Sequence, residues 1–111
     1  MDIIVLSDNL YICDNVKNKK IIADIRANIF SGEEFLICLN NASQNLMDIY
    51  YIKELNKPYI NVENLIVLAI CGSKTQAKET SAFIIERFVQ EYNEIGSFKS
   101  KVCLIRWDKN D

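Results

Sequence analysis

The amino-acid sequence predicts an α/β fold: one compact domain over residues 1–111, in two or three layers, with a largely parallel sheet of about four strands and three helices. Three observations carry this expectation. Apolar runs of strand length, such as Phe35–Leu39 and Leu65–Cys71, alternate with segments whose apolar residues recur at helical spacing. Half of the 111 residues are hydrophobic (50%) and 25% are charged, enough for one core without disulfide or metal staples. Three glycines and one proline leave little chain for linkers or a second domain.

Ile3–Leu6 and Leu10–Cys13 are short strand-like runs around Ser7-Asp8-Asn9, a turn-rich tripeptide. The pattern fits an N-terminal hairpin, or one strand and an irregular lead into a helix. Between Val16 and Phe30, Ile21, Ile22, Ile25 and Ile29 fall at helical spacing, with Lys17, Lys19, Lys20, Asp24 and Arg26 on the wet side. Asp14 or Asn15 is suited to cap this helix and Ser31-Gly32 to close it. Phe35–Leu39, set between Glu33-Glu34 and Asn40-Asn41, has the continuous apolar character of a strand buried on both faces. Leu46, Ile49, Tyr50 and Leu55 fit a second helix, capped from Asn41 or Ser43 and stopped by Pro58, although Leu46–Ile52 also reads as a strand.

Leu65–Cys71 is the most apolar run and the predicted centre of the sheet. After Gly72, a long helix is predicted from Lys74 to Ile95. It would bury a stripe through Ala77, Ser81, Ile84 or Ile85, Phe88, Tyr92 and Ile95 and end at Gly96. Val102–Ile105 is predicted as a last strand, followed by Arg106-Trp107 and a polar tail, Asp108–Asp111.

Composition excludes several chemistries. There is no histidine, which removes the commonest general acid/base, the Ser-His and Cys-His pairs, and imidazole zinc sites. Thirteen Lys and Arg against fifteen Asp and Glu give a net charge of −2, so nucleic acid is not an expected partner. The basic clusters Lys17–Lys20 and Lys99–Lys101, with Arg106 and Lys109, read as solvated surface. Asp8 and Asp14 are too few ligands for Mg²⁺, and no metal site is expected. The longest apolar run is seven residues, well short of a membrane span. Residues 1–8 lack the regions of a signal peptide, so a cytoplasmic location with reduced thiols is expected. Each of the four cysteines sits inside an apolar run, with no Cys-x-x-Cys pair, as small core hydrophobes do. Cys71 is the thiol candidate, because a helix N-terminus beyond Gly72 would lower its pKa.

In a parallel sheet with right-handed crossovers, ligands bind beyond the carboxyl ends of the strands. That draws attention to Asp14-Asn15, Asn40–Ser43 and Gly72–Thr75. Ser73 and Gln76 form a capping box, while Lys74 and Lys78 lie in the first turns of a helix, where the dipole disfavours cations. Gly72, Ser73, Lys74 and Thr75 are therefore the candidate anion-binding residues. Their letters depart from a phosphate-binding P-loop, since the first glycine is missing and Ser73 separates Gly72 from Lys74, so nucleotide hydrolysis is not supported.

No motif assigns a family or a cofactor. The leading expectation is a non-enzymatic binding or homo-oligomeric interaction module, whose partner is a second copy of the chain or another protein. It rests on the apolar content, the lack of an assembled catalytic set, and Tyr50, Tyr51, Tyr59 and Trp107, residue types enriched at interfaces. The alternative is a binder of, or small enzyme acting on, a phosphate- or carboxylate-bearing small molecule at Gly72–Thr75. A third class, a thiol redox protein, requires Cys71 to be accessible and acidic.

Overall fold

A computed structural model of the chain, describing residues 3–107, places four strands in one sheet: β1 (Val5–Ile12), β2 (Phe35–Asn40), β3 (Asp48–Tyr51) and β4 (Leu65–Cys71). Met1, Asp2 and the predicted polar tail Asp108–Asp111, with Lys109, lie outside the described residues. The strand order is β1-β4-β2-β3. β4 runs parallel to β1 and antiparallel to β2, and β2 runs antiparallel to β3. The sheet is therefore mixed, not largely parallel as predicted. The residues joining β2 to β3, 41–47, are too few for a crossover helix, so β3 returns beside β2 as a hairpin.

Alternation along β2 sends Leu36 and Cys38 into one core and Ile37 and Leu39 into the other. On β4 the alternation breaks once. Ile37 pairs with Ala69 and Cys38 with Val67, which leaves Leu68 as the extra residue of a bulge. Leu68 and Ala69 consequently share one core, while Leu65, Val67 and Ile70 share the other. Opposite this point, Leu6 pairs with Val67 and Tyr11 with Ala69, so Ser7–Leu10 bulges within a single strand. The predicted N-terminal hairpin is thus not formed. Its turn residues have another use: Asn9 donates through Nδ2 to the carbonyls of Val102 (2.9 Å) and Ile105 (2.7 Å), and its own carbonyl accepts from the Trp107 indole. With those carbonyls taken by Asn9, Val102–Ile105 is not the predicted strand. It forms a 3-10 turn, Val102–Leu104, directly after a one-turn helix at Phe98–Lys101.

Three helices are present: α1 (Ile21–Arg26), α2 (Lys74–Tyr92) and α3 (Phe98–Lys101). α1 is much shorter than the predicted Val16–Phe30. An Asx turn, in which Asn18 Oδ1 accepts from the Lys20 amide (2.9 Å), precedes it, and Asn28 in the left-handed region (φ 57°) ends it. α2 starts where predicted and stops at Asn93, whose left-handed φ of 58° closes the helix before Gly96. Thr80 is buried with Ala77, Ile84 and Phe88, Ser81 is half-buried with its hydroxyl covered, and Ile95, past the end of α2, is 40% exposed rather than part of the stripe. Over Leu46–Leu55, where helix and strand both fit the sequence, the strand forms as β3, followed by a 3-10 turn, Ile52–Asn56, and the second helix does not. β3 pairs its Tyr51 with Phe35, ring to ring at 5.1 Å, a cross-strand contact unavailable to a helix.

The result is three layers. α2 and α3 cover one face, where Ile84, Phe88, Phe98 and Val102 pack on Ile37 and Leu68. α1 and the 3-10 turn Ile52–Asn56 cover the other, where Ile21, Ile25, Ile52 and Leu55 pack on Leu36 and Val67. Phe88 is fully buried and lies 5.0 Å from the Phe98 ring, while its neighbour Val89 is 40% exposed. Urea denaturation should therefore show Phe88→Ala losing about 3–5 kcal/mol of stability. Val89→Ala should stay within about 0.5 kcal/mol of the parent.

Candidate functional site

Because β1 and β4 are parallel, both point their carboxyl ends at one edge of the sheet; because β2 is antiparallel to them, its amino end lies at that same edge. Asn15, Gly72 and the pair Glu33-Glu34 meet there. Together with Val16 and Lys17 they line a crevice of about 360 Å³. Asn15 does not cap a helix as predicted. Its Oδ1 accepts the Gly72 amide at 2.9 Å, which ties the chain after β1 to the chain after β4. Position 72 must be glycine for this approach, since a Cβ there would lie 2.5 Å from Asn15 Oδ1 and 2.7 Å from its carbonyl oxygen.

The two glutamates have different surroundings. Glu33 is exposed and satisfied: Lys53 Nζ lies 2.6 Å from Oε2 and the Tyr51 hydroxyl donates to Oε1 at 2.9 Å. Those contacts, Lys53 first, hold its carboxyl below the usual carboxylate range, and the same carboxylate pushes the Tyr51 phenol and the Lys53 ammonium up. A pair this open to water contributes little to stability. Glu34 is only 8% exposed, and its buried Oε1 has no hydrogen-bond partner among the described residues. The carboxylate lies so close to Gly32 that a Cβ at position 32 would overlap it. Lys17 stands exposed on the rim and forms no ion pair with a described residue.

Of the four candidate anion-binding residues, Gly72 lines this crevice. Its amide is already donated to Asn15 Oδ1 and, at 3.2 Å, to Gln76 Oε1. Ser73 Oγ accepts the Gln76 amide at 3.1 Å, so the serine caps α2 as the sequence suggested. Lys74 and Thr75 are exposed on the first turn and do not line the crevice. Asn40–Ser43 lies at the opposite end of the sheet, because Asn40 pairs with Leu65, the first residue of β4. There the Lys99 ammonium donates to the carbonyls of Asn40 (3.2 Å) and Ser43. In the sequence Glu33 and Glu34 stand only as the polar flank of a strand. The available signal was two adjacent acids between a glycine and a buried run.

Cys71 is fully buried. The Cys13 thiol donates to its Sγ at 3.0 Å, and Thr80 Oγ1 lies 3.4 Å from Cys13 Sγ. Burial, and then the contact with Cys13, push the Cys71 thiol up to about 12, the opposite of the lowering expected from a helix N-terminus. Burial likewise raises Cys38. All four cysteines are free. Among the described residues no group of three or more His, Cys, Asp or Glu is placed to hold a metal ion, and no helix is long and apolar enough to cross a membrane. A second cavity, of about 460 Å³, lies between the bulge of β1 and the segment Ile105–Trp107, walled by Tyr11 and Trp107.

No protein-family model matches the chain, nor does any curated protein or solved structure. The site is read from its own chemistry.

Two outcomes follow from this geometry. Gly72→Ala should displace Asn15 and cost about 1–3 kcal/mol in chemical denaturation. The folded protein holds the Cys71 proton more tightly than the unfolded chain does. That contribution to stability is complete below the ordinary thiol value of 9.0 and is lost as pH climbs from there through about 12. Denaturation between neutral and strongly alkaline pH should show a steeper fall in the parent than in Cys71→Ala.

Proposed function

We propose that the chain is a non-enzymatic binding module whose ligand enters the crevice at the carboxyl ends of β1 and β4. The ligand presents a cationic hydrogen-bond donor to Glu34. The single observation behind this reading is the buried carboxylate oxygen of Glu34 without a partner, beside a crevice of about 360 Å³. An unsatisfied buried acceptor costs roughly 1–3 kcal/mol, more when charged, and a donor delivered by a ligand removes that cost. The terminal torsion of a glutamate is soft, so the carboxylate turns toward an incoming donor with little strain. The crevice volume falls at the lower end of the range for small-molecule sites. A phosphate- or carboxylate-bearing ligand at Gly72, Ser73, Lys74 and Thr75 draws less support. The Gly72 amide is engaged, two carboxylates border the crevice, and Lys74 lies outside it.

Methylguanidine and butylamine should raise the melting temperature of the parent protein, because a ligand that binds only the folded state stabilises it by mass action. Glu34→Gln should abolish the shift, and Gly32→Ala, which pushes the carboxylate aside, should reduce it. No shift with either amine would overturn the proposal, as would a shift produced by inorganic phosphate and lost in Lys74→Ala.

A second reading, self-association, is favoured by the edge position of β1. Val5 and Ile12, at the two ends of that strand, are 48% and 42% exposed, on either side of the bulge that carries the exposed Asp8. Two copies would join along these edges as a two-fold dimer. Light scattering should then give the mass of a dimer for the parent and of a monomer for Val5→Lys. A parent that stays monomeric at high concentration would refute it.

A further inference from the structure

We infer that the ligand of the crevice is an amino carboxylate: a zwitterion whose cationic nitrogen meets Glu34 while its carboxylate meets Lys17. This rests on the binding-module reading above and specifies its substrate class. The charges around the crevice are two acids, Glu33 and Glu34, and two bases, Lys17 and Lys53, which sum to zero. Glu33 and Lys53 neutralise one another at 2.6 Å. The two charges left for a ligand are of opposite sign and differently placed: Glu34 is buried and Lys17 is exposed on the rim.

A ligand carrying only positive charge would satisfy Glu34 but meet the ammonium of Lys17. One carrying only negative charge would meet both carboxylates. A zwitterion complements both of these charges, and like-charge juxtaposition works against the two other classes.

Asn15 adds a third contact. Its Oδ1 is committed to the Gly72 amide, an assignment fixed by that donor. Its Nδ2 makes no hydrogen bond with a described residue, so the amide is left as a donor lining the crevice beside Lys17. An ammonium and an amide N–H together suit a carboxylate, and a buried carboxylate suits an ammonium or guanidinium. The cavity is of the size that holds a free amino acid or a dipeptide rather than a polymer.

The test compares each amino acid with its decarboxylated counterpart, L-arginine with agmatine and L-lysine with cadaverine, by isothermal titration on the parent protein, Lys17→Ala and Glu34→Gln. In the parent, the carboxylate-bearing member of at least one pair should bind about tenfold or more tighter, as one charge-assisted contact provides. Lys17→Ala should erase that advantage without weakening the decarboxylated amine, and Glu34→Gln should weaken both members. Lys17 is exposed, so its replacement leaves the core intact, and far-ultraviolet circular dichroism checks that each variant is folded. Equal affinities within both pairs, or an advantage that survives Lys17→Ala, would overturn the inference while leaving the binding-module reading in place. Failure of all four compounds to bind would remove the inference and that reading together.

Discussion

β4 is the strand on which the rest of the molecule depends. Its backbone groups are buried and must find partners on both sides, which β1 and β2 supply in opposite directions. The parallel partner brings the chain after β1 beside Gly72, and the antiparallel partner brings Glu33 and Glu34 to that same edge. The crevice is thus a direct consequence of strand direction. The bulge at Leu68 has a comparable reach. It turns two successive residues of β4 to one core, and across from it Ser7–Leu10 leaves the regular ladder of β1. The Asn9 side chain in that bulge then secures the carbonyls of the C-terminal turn.

Glu33 and Glu34 are adjacent in sequence but differ in hydrogen bonding and burial at this edge. Glu33 satisfies itself with Lys53 and Tyr51 in open water, a contact that orders the surface and contributes little energy. Glu34 breaks the rule that buried polar groups are hydrogen-bonded, and no local gain offsets it. The Ser81 hydroxyl on α2 is a second buried polar atom without a partner among the described residues, but it does not line this crevice. Gly32 is part of the arrangement, since any side chain there would displace the carboxylate.

At Cys71 two physical effects compete. A helix N-terminus favours a thiolate by its dipole, whereas removal from water disfavours it. With the sulfur fully buried against Cys13, desolvation dominates and the thiol keeps its proton. Only the depth of burial decides which effect prevails, and the local sequence around Gly72 does not contain that depth. The same holds for Lys74, whose place in the first turn is local but whose distance from the crevice is not.

What the sequence determined by itself was local. The apolar runs at Phe35–Leu39 and Leu65–Cys71 form strands, as their short length and continuous apolar character favour, and Ser73 caps α2 because its hydroxyl meets the Gln76 amide three residues on. The lack of histidine likewise restricted the chemistry before any folding was considered. Tertiary structure decided what depends on partners distant along the chain. The limits of α1 are a local exception: the Asn18 turn and the left-handed Asn28 confine the periodic isoleucines to Ile21–Arg26 from within the segment. Leu46–Leu55 pairs as β3 because β2 offers an open edge, and Val102–Ile105 gives its carbonyls to Asn9, more than ninety residues away. The crevice itself belongs to this second kind: Asn15, Glu34 and Gly72 are separated in sequence and meet only because β4 pairs parallel with one neighbour and antiparallel with the other.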